Sequence, residues 1–557
     1  MSSSDVTRSS SRTSSHPDSR PPIRPLPRTP APKLPRIPRV PPPPIIDTNR
    51  AGSAQAFNIV LPTDAAPFPQ TFDCSDSKEK NSEKGQVSPI QTVTLGTKHT
   101  TNTKDFGFLP IPKRLQYDPD HPFGFSMTLN VLFAVAITLV VGNLHYSPPL
   151  LNELAEEFNV SQGVISTVPT LTQVGFALGI MFISPLGDLV RRRQLILCVL
   201  TACTVLLVLM AISPTVTLFQ AFSFLLGLLS VAPQVLIPLA ADLAPPDCRR
   251  KAISLLFSAM FAGIILARVL SGVLGSFSSS FRAVYYLAAS LQTLVLIGSY
   301  LSIPDYPKKE TGLGYWGILG SMARLAVGEP VLVQSCVVMM CAGAMFAGFW
   351  VTLTFLLGGV YGFSTLVIGL FGLVGLVGIA IGPLIGRFVQ KLVPWYAVLI
   401  ASFGLMITQT IYTAAAKLSV AAVVVVCIAL GAFIDMQQVA LSTRVFEINA
   451  DARSRLNAVF IIAIFIGQAI GTAGSSSIFL AHGPKGTGLL WLNLGALQIV
   501  LLLVRGPHVG GKRWVGWEGG ARVLRRDNII DAGMGGEKGL VDLEKGEKSV
   551  LPEGKSH

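Results

Sequence analysis

The fold is decided by Arg191-Arg192-Arg193 and the run that follows it, QLILCVLTACTVLLVLMAI, at residues 194–212. Three guanidinium groups precede a stretch with no charge at all, long enough as a helix to cross the roughly 30 Å of hydrocarbon in a bilayer. Lipid offers the backbone no hydrogen bonds, so a spanning segment must satisfy its own, and a continuous apolar run does so as a helix. Working outward, runs of roughly 17 to 25 apolar residues recur from about Phe123 onward. Their spans are 124–148, 165–186, 194–212, 218–241, 251–275, 282–303, 330–358, 364–388, 394–414, 418–443, 456–480 and 487–505. The prediction is an all-α membrane protein with twelve transmembrane helices.

The totals agree with lipid as the solvent. Of 557 residues, 50% are hydrophobic and 13% charged, against roughly 25% charged in a soluble domain. The formal charge of +13 resides in the tails and in short loops, not on one face of a folded unit. Anionic inner-leaflet lipid is therefore the expected partner, and nucleic acid is not. The cysteines Cys74, Cys198, Cys203, Cys248, Cys336, Cys341 and Cys427 have no CxxC or Cys/His spacing. They read as small buried side chains, with neither a metal site nor a disulfide framework.

Orientation follows from the loops that carry Lys and Arg. One set holds Arg191 to Arg193, Arg249, Arg250, Lys251, Lys308, Lys309, Arg324, Arg387, Lys391, Arg444, Arg453 and Arg455, while the alternate set holds Arg282, Lys417 and Lys485 beside Glu153, Glu156 and Glu157. Both termini are accordingly expected in the cytoplasm, with the plasma membrane as the expected location. The sequon at Asn159 then lies outside, where a glycosylation acceptor must be.

The expected domains are a Ser/Pro-rich tail without fixed structure at 1–122, a six-helix bundle at 123–304, a cytoplasmic linker at 305–329, a second bundle at 330–505 and a tail at 506–557. An internal repeat supports the two halves. A shift of about 204 residues lays Gln234, Asp247, Arg249 and Gly263 on Gln438, Asp451, Arg453 and Gly467. The basic PxxP tract within 21–45, around Arg24 and Arg28, has the form that SH3 domains read in polyproline conformation. Trp514 and Trp517 beside Lys512 and Arg513 place the start of the C-terminal tail at the membrane surface.

Ser184-Pro185-Leu186-Gly187-Asp188-Leu189-Val190-Arg191-Arg192-Arg193, between the second and third spans, resembles the signature loop of the major facilitator superfamily. Tyr146-Ser147-Pro148-Pro149-Leu150 and Ala244-Pro245-Pro246 with Arg249 are similar to a subgroup of bacterial-type efflux permeases for drugs, sugars or nucleosides. The resemblance covers residues 123–505 and implies two pseudo-symmetric six-helix bundles that rock about a midplane site, as a monomer coupled to protons. It departs from the family pattern at Ser184 and Arg191, where glycines are usual, and at Ser223, near the usual fourth-helix arginine. The fifth helix, Ala262-Gly263-Ile264-Ile265-Leu266-Ala267-Arg268, lacks the usual proline.

The signature loop also has a direct physical reading. Asp188 at a helix end, in reach of Arg191, Arg192 and Arg193, can form charge-assisted bonds that latch the two halves together on the cytoplasmic side.

A charge at the centre of a membrane helix costs roughly 2.5 to 3.5 kcal/mol, so each calls for a role. Arg268 lies about 10 Å below the outer surface by helical rise, and Asp435 about as far above the inner one. They are too distant in depth to pair. Two networks are expected, an outer one of Asn143, His145, Tyr146 and Arg268, and an inner one of Gln234, Asp435, Gln437 and Gln438. The resemblance implies that helices one, four, five and ten line the cavity, and Asp435 is the expected proton site.

Gly369, Gly372, Gly375 and Gly378 recur every third residue of the eighth span, a stripe that permits close helix contact. Trp350, Phe349 and Tyr412 are positioned to touch an apolar solute. No HExxH or GxxxxGK[ST] pattern occurs, so neither enzyme chemistry nor ATP hydrolysis is read, no cofactor is expected, and a gradient must supply the energy. The function expected is secondary transport of a small organic molecule, most simply proton-coupled efflux. The alternatives are an uptake symporter and a solute sensor signalling through the N-terminal tail.

Overall fold

The computed structural model describes residues 104–116, 125–278, 280–305, 314–381, 392–449, 452–507, 509 and 513–517. The SH3-type tract, Lys308, Lys309, Arg387, Lys391 and Lys512 lie outside the described residues.

The described chain is almost wholly helical. Its long helices are α1 (Met127–Gly142), α2 (Thr167–Phe182), α3 (Arg192–Ala211), α4 (Val216–Leu243), α5 (Pro246–Phe277), α6 (Arg282–Ser302), α7 (Pro330–Phe355), α8 (Thr365–Ala380), α9 (Pro394–Ala415), α10 (Val420–Ile448) and α11 (Arg453–Val504). Among the described residues nine helical segments are long and apolar enough to cross a membrane, and α1 and residues 365–378 of α8 are shorter apolar helices. The helix α11 is not straight. Gly483 has φ 68° and ψ −167°, followed by Pro484. That backbone is open to glycine and hardly to any other residue, and the proline cannot continue the ladder of the arm before it. The two arms correspond to the last two predicted spans.

Helix α1 packs on α5 and α6, α2 on α4, and α3 on α6; in the second half α7 packs on α11, and α9 on α10 and α11. The two sets meet where α5 lies on α8 and α2 on α11. Small residues set the closest approaches, because in lipid the gain comes from packing rather than from expelling water. A side chain on Gly263 would meet the backbone carbonyl of Thr138 in α1, and one on Gly467 that of Met340 in α7. The two glycines matched by the 204-residue shift thus have equivalent neighbours.

The arginine-rich end is tied together by ion pairs. Arg192 reaches Asp242 at 2.7 Å, Asp188 at 3.2 Å and the carbonyl of Gly187 at 3.1 Å, while Arg191 binds Asp305. Arg193 binds Asp105 at 2.7 Å and donates to the carbonyls of Ile303 and Tyr300. Asp105 belongs to a small hairpin in which β1 (Lys104–Asp105) pairs antiparallel with β2 (Leu109–Pro110), followed by a 3-10 turn at Lys113–Leu115. Residues 104–116, expected to lack structure, are therefore ordered. They carry no periodic pattern of their own and take their shape from docking on the ends of α3 and α6. In the expected linker, Tyr315–Gly328 is a helix that buries Ile318 and Met322.

Where the helical part of the chain ends, Trp395 Nε1 donates to the carbonyls of Leu502 and Arg505 at 3.3 and 3.0 Å, and Trp517 Nε1 donates to the carbonyl of Leu503 at 2.9 Å. Trp514 and Trp517 keep about half of their surface exposed.

Candidate functional site

Arg268 leaves α5 at the seam between the two helix sets. Its guanidinium carbon stands 4.0 Å from the ring centre of Trp350 in α7, a separation at which the negative face of an indole attracts a cation. The residue is only 6% exposed and its Nε has no hydrogen-bond partner. No carboxylate among the described residues is within ion-pair distance of it. The glycine stripe of α8 makes the room. A side chain on Gly372 would contact the Arg268 stem, one on Gly375 the Trp350 ring, and one on Gly369 the backbone at Gly272. Beside Arg268 is a small cavity lined by Ile264, Phe346, Trp350, Gly372, Cys427 and Gly431, with room for about one water molecule.

The expected outer network forms only in part. His145 lies within electrostatic reach of the Arg268 guanidinium, and its Nδ1 lies 3.0 Å from the carbonyl of Val141. Tyr146 is buried in the cluster that includes Ala267 and Tyr285. Asn143 turns elsewhere, donating at 3.4 Å to Gln292 of α6. Gln292 is fully buried, and the sequence pattern does not single it out, although a glutamine in an apolar span is a visible signal.

The expected inner network is not assembled. Gln437 donates to Ser402 at 2.8 Å and to Gln498 at 3.1 Å, so it cross-links α9, α10 and α11. Two residues along a helix face nearly opposite ways, so Gln437 cannot share a site with Asp435. Asp435 is half-buried and its Oδ2 is buried without a partner. Gln234 and Gln438 are half-buried and make no side-chain hydrogen bond to Asp435.

Of the expected latch residues, only Arg192 pairs with Asp188, four residues apart. Arg191 and Arg193 turn instead to Asp305 and Asp105. All these bonds stay within residues 104–305. At the same arginine-rich end the helix Tyr315–Gly328, which packs on α7 and α11, reaches the carbonyl of Phe182 through the Tyr315 hydroxyl at 2.9 Å. Polar bonds between the two helix sets themselves gather at the opposite end: Thr354 donates to the carbonyl of Pro148 at 2.9 Å, Asn152 to that of Thr354 at 3.5 Å, and Thr472 to Gln173 at 2.9 Å. Deeper in, Phe176 meets Phe465 with ring centres 4.4 Å apart. Glu153 joins this end, where burial raises its carboxyl above the ordinary range, a hydrogen bond with Thr365 opposes the rise and Glu156 adds to it.

Asn159 is exposed with φ 51° just beyond the short helix Leu151–Glu157. Asparagine tolerates this left-handed conformation better than most residues. Phe349 and Tyr412 pack with Trp491 inside the second helix set, with ring centres 4.8 to 6.2 Å apart.

Comparison with known proteins agrees with this architecture. Residues 126–472 match the family model described as Major Facilitator Superfamily. The chain is 31% identical over 393 residues to YgaY of Escherichia coli K12, a putative uncharacterized transporter, covering 70% of this chain and 98% of that one. It is 27% identical over 184 residues to the purine ribonucleoside efflux pump NepI of Escherichia coli O127:H6, covering 33% of this chain and 46% of the pump. Among solved structures, the human organic anion transporter MFSD10 shares the fold with a TM-score of 0.52 at 18% identity, over 68% of this chain and all of that one.

Proposed function

The chain belongs to the Major Facilitator Superfamily, and from that premise we propose that it is a secondary active transporter of a small organic solute, a proton-coupled efflux permease. Twelve crossings in two six-helix bundles, residues 123–304 and 330–505, rock against each other about the seam. Both termini face the cytoplasm, at the plasma membrane, and the protein works as a monomer.

The supporting observation is the distribution of polar bonds across the seam. They lie at the end away from the arginines, at Pro148–Thr354, Asn152–Thr354 and Gln173–Thr472, as a closed outer gate would have them. In the opposite state the arginine-rich end closes. Asp188 is about a third exposed, 35%, in its pair with Arg192 and keeps acceptor capacity for a donor from the second bundle, so it is the latch of that state. Arg191 and Arg193 hold the first bundle rigid while it moves. Asp435 is the proton site, because its unpartnered carboxylate oxygen is the group most easily satisfied by a proton.

Flux in proteoliposomes with an imposed pH gradient tests this reading. Wild-type flux follows the gradient, and Asp435→Asn abolishes that dependence. Flux that ignores the gradient for every solute tried removes proton coupling.

A second reading is favoured by the buried Asp105–Arg193 pair, which fixes the end of the N-terminal tail to the helix ends. In it the fold senses solute and signals through residues 1–103. Deleting those residues abolishes signalling and spares flux if that reading holds.

A further inference from the structure

We infer that Arg268 and Trp350 form the recognition site for the carboxylate of a small aromatic or apolar acid, which makes the transported solute an organic anion. The inference rests on the transport reading above and adds its substrate class. A guanidinium buried from water without an anion is costly, and such groups are kept where a partner neutralises them. Arg268 has no such partner among the described residues, and its Nε lacks any acceptor. The ring of Trp350 covers one face of the guanidinium and leaves its in-plane donors for a second group. Those donors form a rigid fork that matches the two oxygens of a carboxylate.

The surroundings specify the rest of the ligand. The other cavity walls, Ile264, Phe346, Gly372, Cys427 and Gly431, suit an apolar or aromatic body and offer no second charge. Arg268 and Ile264 come from α5, whereas Phe346 and Trp350 come from α7, Gly372 from α8, and Cys427 and Gly431 from α10. Relative motion of the two sets therefore opens and closes the site, which accounts for its having room for no more than about one water molecule here. The solute enters when the seam parts.

The test is binding, measured apart from flux. The full chain in phosphatidylcholine nanodiscs is titrated with benzoate, salicylate and indole-3-acetate, and in parallel with benzamide, salicylamide and indole-3-acetamide, by calorimetry and thermal shift. At least one acid binds tenfold or more tightly than its amide. Arg268→Gln removes that preference, Arg268→Lys weakens it, and Trp350→Leu lowers acid affinity while Trp350→Phe retains most of it. Size-exclusion profiles confirm that each variant is folded; if Arg268→Gln is not, the lysine and Trp350 variants decide. Acids and amides binding alike, no acid binding, or acid affinity unmoved by these substitutions overturns the inference. So does protection from anionic phosphatidylglycerol that the acids do not displace, which would make the partner a lipid headgroup. Acid binding without flux of any solute keeps the site and defeats the transport reading; flux of neutral solutes without acid binding does the reverse.

Discussion

Asp105 and Arg193, 88 positions apart in sequence, meet at 2.7 Å with neither side chain exposing any surface. The bond fastens a hairpin that precedes the first membrane helix to the ends of α3 and α6, where Arg193 also grips the carbonyls of Ile303 and Tyr300.

Removing one partner leaves the other buried and uncompensated, which costs about 3 to 5 kcal/mol. Asp105→Ala should therefore lower the thermal midpoint in detergent and open residues 104–116 to trypsin. The double variant Asp105→Ala/Arg193→Met should recover much of the loss, and a double variant no better than the single one would show that the pair is not the anchor.

Gly375 lies under the Trp350 ring, and a methyl group there would press on its six-membered edge. Overpacking of this kind costs about 1 to 3 kcal/mol. Gly375→Ala should lower the melting temperature and displace the indole from Arg268, visible as a change in tryptophan emission. Gly320→Ala, in the helix Tyr315–Gly328 with open space around it, should be neutral or stabilising by about 0.4 to 1 kcal/mol.

Gln437 cross-links helices within the second set, and such bonds average about 0.6 kcal/mol in membranes. Gln437→Leu should cost stability on that scale and leave the KM for solute unchanged. A tenfold rise in KM would return Gln437 to the binding site.

In the transport cycle proposed above, Glu153 gives the gate at its end of the seam a dependence on pH. Burial raises its carboxyl in the closed geometry, and opening exposes it and lets the value fall. Protonation therefore favours the closed state, and that advantage fades as external pH rises through the raised value. Labelling of Ile368→Cys, buried at that end, by an impermeant thiol reagent should accelerate as external pH rises. In Glu153→Gln the rate should be nearly flat, once the intrinsic titration of the thiol is subtracted using an exposed control.

Much of the fold was legible because lipid imposes a rule that a single chain must obey: the apolar runs had to be helices, and Arg191 to Arg193 had to mark an end. The 204-residue repeat was readable for the same reason, since Gly263 and Gly467 answer the same packing demand. What sequence could not give was direction around each helix. Gln437 and Asp435 look alike as polar residues in one apolar span, yet they face apart. Arg268 and Trp350 were each noticeable alone, but their union depends on the α5–α8 seam, a contact between segments about a hundred residues apart. The hairpin at 104–110 was invisible because it is stable only against its neighbours.

The turn at Gly483 and Pro484 determines what the end of the molecule away from the arginines presents there. The chain reverses between two membrane arms in a single backbone step, leaving no slack for a protease to thread or an antibody to grasp. The two arms are hinged back to back without a tether, so whatever tilts one levers the other. A reporter peptide spliced in at that corner would be expected to break the helix pair, whereas the stretch around Asn159, with its exposed side chain, has latitude to accept one.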